Sequence, residues 1–449
     1  MADFVKLNGY DVKDAVSRAS ITSIQSTLNG IKRPEDYGCV GNGIVDDTEN
    51  FQTALAGGGY ILGTPGKNYR VTAELILAAD TVLDLNNATV TADGIRHIFY
   101  NFETTDTEIL GYAGRGNITI RNGILVGGCI SFIHSHDVLI ENIHMINVNN
   151  DHMMEICACN NYTVKNCIFE GLSNLYPSVR EYINIDPCVY AAFPWIADGS
   201  STFDGTKNKN LFFLNNVFRV GSSASYVYMQ NAIGCHGHYN ASHENIIIDG
   251  NIVEGNADTE VAFRLIDMTQ VMVRNNLMKS KWGTLVNGSS YVTIEGNSSI
   301  CIDATARAFI IFDSMPNTHI SINDNTLVNR SGYITGSFND GDVTFDLLQP
   351  TRVFQGDNSS VSSTIPFTSV NKIMLQTGAI SGGNMAYAEI RSFLTRGFLV
   401  GETYPIWLKT GLATFTITDA THGTISTNTS DVYTNCRQML LAKDIEFAS

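Results

Sequence analysis

Charge is scarce in this sequence of 449 residues. Asp, Glu, Lys and Arg make up 16% of the chain, whereas roughly 25% is usual in soluble domains. The 28 Lys and Arg are outnumbered by 44 Asp and Glu, which gives a net charge of -16, and no run of basic residues occurs. A surface of this sign repels phosphate backbones, so nucleic acid is not expected as a partner.

Long apolar runs are also missing. No stretch approaches the roughly 18 consecutive apolar residues of a transmembrane helix, so no membrane insertion is expected. The first ten residues mix charged and apolar side chains and contain no signal-peptide core, which predicts a protein made and folded in a cytoplasm. The nine cysteines are odd in number, and in a chain of this length we expect buried thiols rather than disulfides.

Small uncharged residues take the place of the missing charge. The chain contains 39 Gly and 42 Asn together with many Ser and Thr. These residues are poor helix formers and frequent turn formers, so the composition favours an all-β chain with many tight turns.

One sequence pattern recurs along the chain: two or three alternating apolar residues, a turn residue, then another short apolar pair. Successive copies lie 20, 24, 49, 35, 25, 21 and 28 residues apart. We interpret the 49 as two periods with one degenerate copy, and the 35 as one period with an insertion. The turn positions are Asn122, Asn142, Asn166, Asn215, Gly250, Asn275, Gly296 and Asp324.

A strand, a turn at a residue that tolerates left-handed backbone, and a second strand form one coil of a β-solenoid. The period is too short for a β-propeller, and the leucine signature of a leucine-rich repeat is absent. The sequence therefore predicts a right-handed parallel β-helix over residues 34–355, after a leader at 1–33 with a helix-compatible stretch at 14–28. A Ser-rich linker is expected at 356–366, and a small antiparallel β-domain at 367–449 for trimerisation or carbohydrate binding.

The segment from Pro34 to Leu55 resembles the opening of the pectate-lyase-like β-helix family. It contains an Asp46-Asp47-Thr48 run after a Gly-rich loop, followed by Phe51 and Leu55 on one helical face. We expect Thr48 to cap a short helix that covers the first coil, and the two aspartates to be structural. The family includes lyases, hydrolases and epimerases, so the resemblance does not fix the chemistry.

The leader, from Val5 to Ala15, resembles the attachment segments of tail appendages from phages that infect Gram-positive bacteria. Together the two resemblances imply a phage tailspike or prophage tail protein: a virion component, homotrimeric, attached to the tail or baseplate through its leader. Bacterial surface polysaccharide is the substrate that such a protein implies.

Chemistry-bearing residues concentrate between residues 149 and 267, where the coil spacing is also most disturbed. Long loops on a rigid scaffold are where binding and catalytic sites are expected. The first group is His152 with Glu155, which can both face outward if a turn separates them. The alternative is a loop with solvated charges.

The second group follows Glu181. If Ile183 and Ile185 point into the core, then Tyr182, Asn184 and Asp186 form an outward row on one face, suited to sugar rings and hydroxyls. The loop that follows is rich in aromatic residues, among them Tyr190 and Trp195. They form either a wall for glycan stacking or the loop's own small core. Asp204 is followed by Gly205, and an Asp-Gly pair is typical of a turn. This makes a catalytic role for Asp204 less expected.

The third group contains three histidines within eight residues: His236, His238 and His243. They are expected as acid/base or substrate-binding groups beside carboxylates, or as hydrogen-bonded turn residues. Their spacing matches no structural zinc pattern, so neither a metal site nor a cofactor is predicted. Arg264 is a candidate cation beside the groove, or a partner of Glu260.

This order of residues is similar to that of a β-helix branch found in phages and Firmicutes. The branch often has Gln at the position of Asn184. The similarity implies that one groove is lined by His152, Glu155, Glu181, Asp186, Asp204, His236 and His243.

The sequence favours a glycan depolymerase that hydrolyses glycosidic bonds with a carboxylate pair. Asp186 is the first candidate, with Glu155, Glu181 or Asp204 as its partner, and His236 as an orienting or proton-transfer group. A polysaccharide lyase, in which a cation neutralises a uronate and a base removes the C5 proton, is the alternative within enzymes. A non-catalytic glycan-binding adhesin is the alternative outside them.

Overall fold

The computed structural model describes side chains for residues 30–103, 109–149, 152–175, 181–190, 202–237, 243–304, 307–313 and 315–330. Beyond these ranges it describes the backbone of short strands near both ends of the chain. The helix expected at 14–28 lies outside the described residues.

The chain folds into a right-handed parallel β-helix, as the repeat predicts. Each regular coil contributes one strand to each of three faces, and apolar side chains stack in the interior from coil to coil. One such row runs from Ile118 through Val138, Tyr162, Leu211 and Ile246, each paired with the next in parallel register. All five side chains are buried. The low charge of the sequence follows from this long apolar interior.

Face A, which carries the candidate site, has one strand per coil. Its strands are Leu75–Ile76, His97–Tyr100, Cys129–Ile133, Met154–Cys157, Glu181–Asp186, Asn231–Gly234, Val261–Ile266, Trp282–Asn287, Ala308–Phe312 and Gly332–Gly336.

Faces B and C carry the two strands that flank each predicted turn. Face B comprises Ile31–Lys32, Gly59–Leu62, Thr81–Asp84, Asn160–Lys165, Lys209–Leu214, His243–Asp249, Met268–Arg274, Ser290–Glu295, Thr318–Asn323 and Val343–Asp346. Face C comprises Asn42–Asp46, Asn68–Val71, Thr89–Ala92, Ile168–Leu172, Val217–Arg219, Ile252–Glu254, Leu277–Ser280, Ser298–Cys301 and Thr326–Val328. Two long strands, Ile118–Val126 and His136–Val148, bend from face B into face C.

All eight turn residues identified in the sequence adopt left-handed backbone. Their φ angles lie between 48° for Asp324 and 69° for Gly250. The interpretation of the 49-residue interval as two coils is wrong, because Asn160–Lys165 pairs directly with Lys209–Leu214. The interval is one coil with a long insertion between faces C and B, and the face A strand Glu181–Asp186 lies within it.

Buried asparagines stack behind the turns as a ladder. The side-chain oxygen of Asn251 accepts hydrogen bonds from both the backbone N–H and the side-chain amide of Asn216. The same two bonds join Asn251 to Asn276 and Asn276 to Asn297. Each asparagine thereby satisfies the backbone of the neighbouring coil inside the apolar core.

A short helix, Thr48–Leu55, covers the first coil with Phe51 and Leu55 buried. Asp47, not Thr48, occupies the N-cap position, and its carboxylate accepts hydrogen bonds from the backbone of Val40 and Gly41. Asp46 accepts hydrogen bonds from Thr48 and Thr72. Both aspartates are therefore structural, as expected.

The expected antiparallel strands occur near the C-terminal end. Ala386–Phe393, Thr403–Leu408 and Gly411–Ile417 belong to a set with Thr351–Asp357, Lys372–Thr377, His422–Ser426 and Arg437–Ala442, and the pairings within this set are antiparallel. At the other end, Lys6–Leu7 and Tyr10–Asp11 form a small hairpin. Parallel pairing begins at Ile31, three residues before the predicted start of the solenoid. The division into leader, solenoid, linker and terminal domain stays a prediction.

Every cysteine in the described part of the chain is a buried free thiol, as expected. Two of them take the place of an asparagine in ladders: the backbone N–H of Cys167 donates to Asn216, and that of Cys159 donates to Asn208. No helix among the described residues is long and apolar enough to cross a membrane.

Candidate functional site

Face A brings together side chains that are far apart in the sequence. Parallel register places Glu155 beside Asn184, Asn184 beside Gly234, and Gly234 beside Arg264, on four successive strands. Neighbouring strands lie about 4.8 Å apart, so groups on adjacent coils can touch. We call the residues that meet here the site cluster: His152, Glu155, Glu181, Asn184, Asp186, His236 and Arg264.

Glu181 is at the centre of the site cluster and is fully buried. Its Oε1 accepts hydrogen bonds from Arg264 Nη1 at 3.1 Å and from Asn231 Nδ2 at 3.2 Å. Its Oε2 lies 3.5 Å from His236 Nε2. Arg264 is thus the partner of Glu181 and not of Glu260, whose carboxylate accepts a hydrogen bond from Gln230.

The His236 ring lies between Glu181 and Asp186. Its Nδ1 is 2.8 Å from Asp186 Oδ2, and its backbone N–H donates to Asp186 Oδ1. Although burial lowers the pKa of His236, the hydrogen bond to Asp186 and the two nearby carboxylates outweigh it and raise that pKa to about 9. His236 remains 30% exposed.

Asp186 is fully buried and accepts hydrogen bonds on both oxygens. Besides His236, the side-chain amide of Asn184 donates at 3.0 Å and the Cys235 thiol at 3.3 Å. Burial raises the pKa of Asp186, but the contacts with His236 and Asn184 more than offset it and bring that pKa down to about 2. Such a carboxylate cannot donate a proton at neutral pH, so its geometry is that of a group that orients His236.

His152 lies against His236, with ring centroids 4.7 Å apart. Its Nδ1 is 2.6 Å from the backbone carbonyl oxygen of Glu181. Since a carbonyl oxygen only accepts, this nitrogen carries the proton. Burial, together with the nearby His236, lowers the pKa of His152.

Glu155 is surrounded by residues that the sequence analysis did not identify. Its carboxylate accepts a hydrogen bond from Ser131 and lies 3.6 Å from His97 Nε2 and 3.7 Å from Arg96. Burial raises the pKa of Glu155, but His97 in particular reverses the effect and leaves that pKa below its usual range. The only signal in the sequence was the adjacent Arg-His pair, which lies outside the interval where functional residues concentrate.

Three of the expected site residues lie elsewhere. Tyr182 does not face outward: its ring is in the core, and its hydroxyl donates to the backbone oxygens of Arg219 and Tyr228. The pairing with the next strand keeps the same offset from Glu181 to Asn184, so the ring turns inward without a change of register. Glycan stacking on this ring is therefore excluded in this structure.

His243 is also wrong as a substrate-binding residue. It is fully buried and occupies a ladder position, where its Nδ1 accepts a hydrogen bond from the backbone N–H of Asn208. Burial lowers the pKa of His243 to about 4. In this coil the accepting ring nitrogen of His243 takes the role that an asparagine side-chain oxygen has in the other coils.

Asp204 holds a turn together and is not in contact with the site cluster in the described ranges. Its carboxylate accepts hydrogen bonds from the backbone N–H groups of Gly111 and Thr206. It lies near His134 and Cys188, a separate buried group. There a hydrogen bond with Cys157, followed by the contact with His134, lowers the pKa of the Cys188 thiol to about 6.

The aromatic loop is described only in part. Tyr190 is 40% exposed and packs edge-on against Phe203, with centroids 5.7 Å apart. Trp195 and His238 lie outside the described residues.

The buried carboxylates of the site cluster lie beneath basic groups that reach solvent. Glu155, Glu181, Asn184 and Asp186 are almost completely buried. The side chains of His236 and Arg264, and that of Arg96 beside them, are partly exposed. An otherwise acidic protein thus presents a small cationic patch here, which can attract acidic groups and hold hydroxyl or carboxylate oxygens.

Known proteins resemble this chain mainly in fold. No protein-family model matches the sequence. Among curated proteins, the plasmin and fibronectin-binding protein A of Streptococcus pneumoniae is 28% identical over 243 residues, which cover 45% of this chain and 32% of that protein. The chain therefore spans about a third of the length of this relative.

Solved structures extend the likeness over most of the chain. The crystal structure of PfbA, a surface adhesin of Streptococcus pneumoniae, has a TM-score of 0.59 at 18% identity and covers 82% of this chain and 99% of its own. A tailspike double mutant of Escherichia coli bacteriophage HK620, in complex with a pentasaccharide, has a TM-score of 0.54 at 12% identity. It covers 93% of this chain and 94% of its own. At these identities the likeness shows the right-handed β-helix fold.

Proposed function

We propose that this protein binds and depolymerises a bacterial surface or cell-wall polysaccharide at the site cluster of face A. The observation that carries the proposal is the convergence of Glu181, His236 and Arg264 within hydrogen-bond or ion-pair distance, although they come from three different strands or loops. A rigid solenoid holds such groups in fixed positions, as positioned acid/base chemistry requires. The pentasaccharide complex of the fold neighbour from bacteriophage HK620 supports a glycan as the ligand class.

Hydrolysis of a glycosidic bond would use two carboxylates, one as acid and one as base or nucleophile. Asp186 was the first candidate, but its two oxygens are occupied by donors and its pKa is low. Glu181 and Glu155 remain as the pair, and the lowered pKa of Glu155 makes it the base or nucleophile of the two. In this assignment Asp186 acts through His236 as a positioning residue.

Elimination on a uronate polymer is the second candidate, and one observation favours it. The groups of the cluster that reach solvent are nitrogen bases and cations, whereas the carboxylates are buried beneath them. A lyase needs a cation to neutralise the uronate and a base to remove the C5 proton. Arg264 fits the first role, and His236 fits the second once it has lost the proton that its raised pKa, about 9, holds at neutral pH.

A binding function without catalysis is the third possibility. The curated relative is named for binding plasmin and fibronectin, and its structure is that of a surface adhesin. The same patch would then bind its ligand without cleaving it.

One assay separates the three. The full chain is incubated with acidic and neutral cell-wall or capsular polysaccharides, and new reducing ends and the ultraviolet absorbance of an unsaturated product are followed. Reducing ends alone mean hydrolysis, both signals mean elimination, and binding with neither signal means an adhesin. Glu181→Gln should abolish cleavage, whereas Glu141→Gln, which breaks an ion pair with Lys165 on face B, should retain it. Full cleavage by Glu181→Gln would refute the assignment.

We also propose that the protein is a homotrimer that attaches to a phage tail through residues 1–33. The tailspike fold neighbour supports this reading. Light scattering of the full chain should give three times the mass of 49.0 kDa, and a monomer would contradict it.

A further inference from the structure

Two histidines and one glutamate of the site cluster share a common centre. One ring nitrogen of His152, one ring nitrogen of His236 and one carboxylate oxygen of Glu181 all lie within 4.8 Å of one another. Two of the three side chains are buried, and His236 is the one that reaches solvent. Two imidazole nitrogens and one carboxylate oxygen are a common ligand set for divalent transition metals.

The other nitrogen of each ring is held by a neighbouring group. His152 Nδ1 donates to the Glu181 backbone carbonyl at 2.6 Å, and His236 Nδ1 donates to the Asp186 carboxylate at 2.8 Å. An ion that binds at Nε2 therefore takes the place of any proton on that nitrogen, while the Nδ1 proton stays in the bond to the carbonyl or carboxylate. Metal-binding histidines are characteristically oriented in this way, by a carbonyl or a carboxylate on the non-ligating nitrogen.

The glutamate presents one oxygen to the same centre. Glu181 Oε1 accepts hydrogen bonds from Arg264 and Asn231. Oε2 is buried and has no hydrogen-bond partner among the described residues, and it lies 3.5 Å from His236 Nε2. A buried carboxylate oxygen without a donor is costly unless a cation is close to it.

The two buried carboxylates at this centre need a second positive charge besides that of Arg264. Asp186 and Glu181 are two buried carboxylates, and Arg264 is the one guanidinium bonded to them in the described ranges. The remaining negative charge needs a positive charge, which is either an imidazolium at His236 or a bound ion.

We propose that His152, Glu181 and His236 bind one divalent transition-metal ion, with Asp186 orienting His236 and Arg264 orienting Glu181. The set is two imidazoles and one carboxylate, which suits Zn²⁺, Co²⁺ or Mn²⁺ better than Ca²⁺, because Ca²⁺ prefers oxygen ligands throughout. Access is from the side of His236.

Metal binding is independent of the proposed function, since it can be measured without any glycan. It would still change the roles of the residues. With an ion in place, Glu181 and His236 would act as ligands rather than as acid or base groups. Glu155, on the adjacent strand, then remains as the carboxylate that can exchange a proton.

The test uses the untagged full chain after treatment with a chelator. Co²⁺ and Zn²⁺ are titrated by calorimetry, and the visible spectrum of bound Co²⁺ is recorded. One ion is expected per chain, with a Co²⁺ spectrum typical of four- or five-coordinate nitrogen and oxygen ligation. Glu181→Gln and His236→Gln should each weaken binding at least about tenfold, because losing even a group that only orients a ligand typically costs that much.

His144→Gln is the matched control, because His144 also pairs with a glutamate, Glu170, at 2.9 Å on another part of the solenoid. It should bind the ion with unchanged affinity. The proposal is overturned if the wild-type chain binds no ion, or if Glu181→Gln and His236→Gln bind as tightly as wild type. If Glu181→Gln fails to fold, His236→Gln and the Co²⁺ spectrum of the wild-type chain decide the question.

Failure of this proposal and failure of the proposed function can be told apart. A chain that binds Co²⁺ at this site but cleaves no polysaccharide supports the metal site alone. A chain that cleaves polysaccharide with equal rate in chelator and in Zn²⁺, and binds no ion, supports the function alone.

Discussion

Asp186 and His236 are 50 residues apart in the sequence and form a hydrogen bond of 2.8 Å in the structure. A second bond, from the His236 backbone N–H to the same carboxylate, fixes the start of the loop that carries the ring. The carboxylate therefore sets both the position and the orientation of the imidazole.

Replacing Asp186 by Asn should impair turnover more than binding. The amide retains the size of the side chain, but it removes the charge that orients His236. We expect kcat for glycan cleavage to fall roughly 100-fold or more, with a much smaller change in KM. Steady-state kinetics of Asp186→Asn measure both values, and an unchanged kcat would show that Asp186 does not act through His236.

Replacing Asn276 by Ala should destabilise the solenoid. The change removes two hydrogen bonds that Asn276 accepts from Asn251 and two that its side chain donates, to Ile248 and Asn297. The buried groups left without partners should lower the free energy of unfolding by about 2–4 kcal/mol in total. Thermal unfolding should show a lower midpoint for Asn276→Ala. The half-buried Asn323, whose side chain bonds with Ser321 alone within the described residues, provides the control variant Asn323→Ala, which should lower the midpoint less.

His243 should make the unfolding free energy fall in acid. Burial lowers its pKa from 6.5 to about 4, partly offset by the Asp186 and Asp267 carboxylates and reinforced by Lys207. Between these two values the unfolded chain binds a proton that the folded chain does not, so lowering the pH favours unfolding. The contribution is about 1.4 kcal/mol per pH unit across this window.

The variant His243→Asn removes this titration, while its side-chain oxygen can still accept from the Asn208 N–H. Denaturant unfolding between pH 7 and pH 4 should therefore show a flatter dependence for His243→Asn than for the wild-type chain. The partly exposed His136, which pairs with Asp137, supplies the control variant His136→Asn, because that change leaves the buried His243 in place. Equal slopes for all three proteins would contradict the burial of His243.

Replacing Tyr190 by Ala should weaken glycan binding with little effect on stability. The ring is 40% exposed and packs on Phe203, near the end of the Glu181–Asp186 strand. Loss of one stacking surface should reduce affinity roughly three- to tenfold, measured by calorimetry with the polysaccharide. Tyr291, which is exposed and stacks on His319 of face B, gives the control Tyr291→Ala, which should bind normally.

The repeat could be predicted because its causes are local. A left-handed turn favours Asn or Gly over other residues, and an inward strand position favours an apolar side chain, wherever the coil lies in the solenoid. The left-handed backbone of Asn122 and Asn275 can therefore be predicted from the residue type and its place in the repeat. The low charge and the abundance of Asn follow from the same two requirements.

The candidate site could be predicted only as a region. The concentration of His and acidic residues drew attention to Glu181, Asp186 and His236, and the structure brings these three together. It separates Asp204 and His243 from them, because one belongs to a turn and the other to a ladder. No local pattern distinguishes a histidine that replaces a ladder asparagine from one that faces solvent.

The coil, its turns and the apolar interior can be predicted from the sequence, since each depends on residues within a few positions of one another. Which charges meet depends on the packing of distant segments. Arg264 reaches Glu181 across 83 positions of the chain, and the insertion between Asn166 and Asn215 forms part of one coil rather than a coil of its own. In a parallel stack, contacts between coils depend on the register and on the lengths of the insertions. Neither can be inferred from the types of the residues that make the contact.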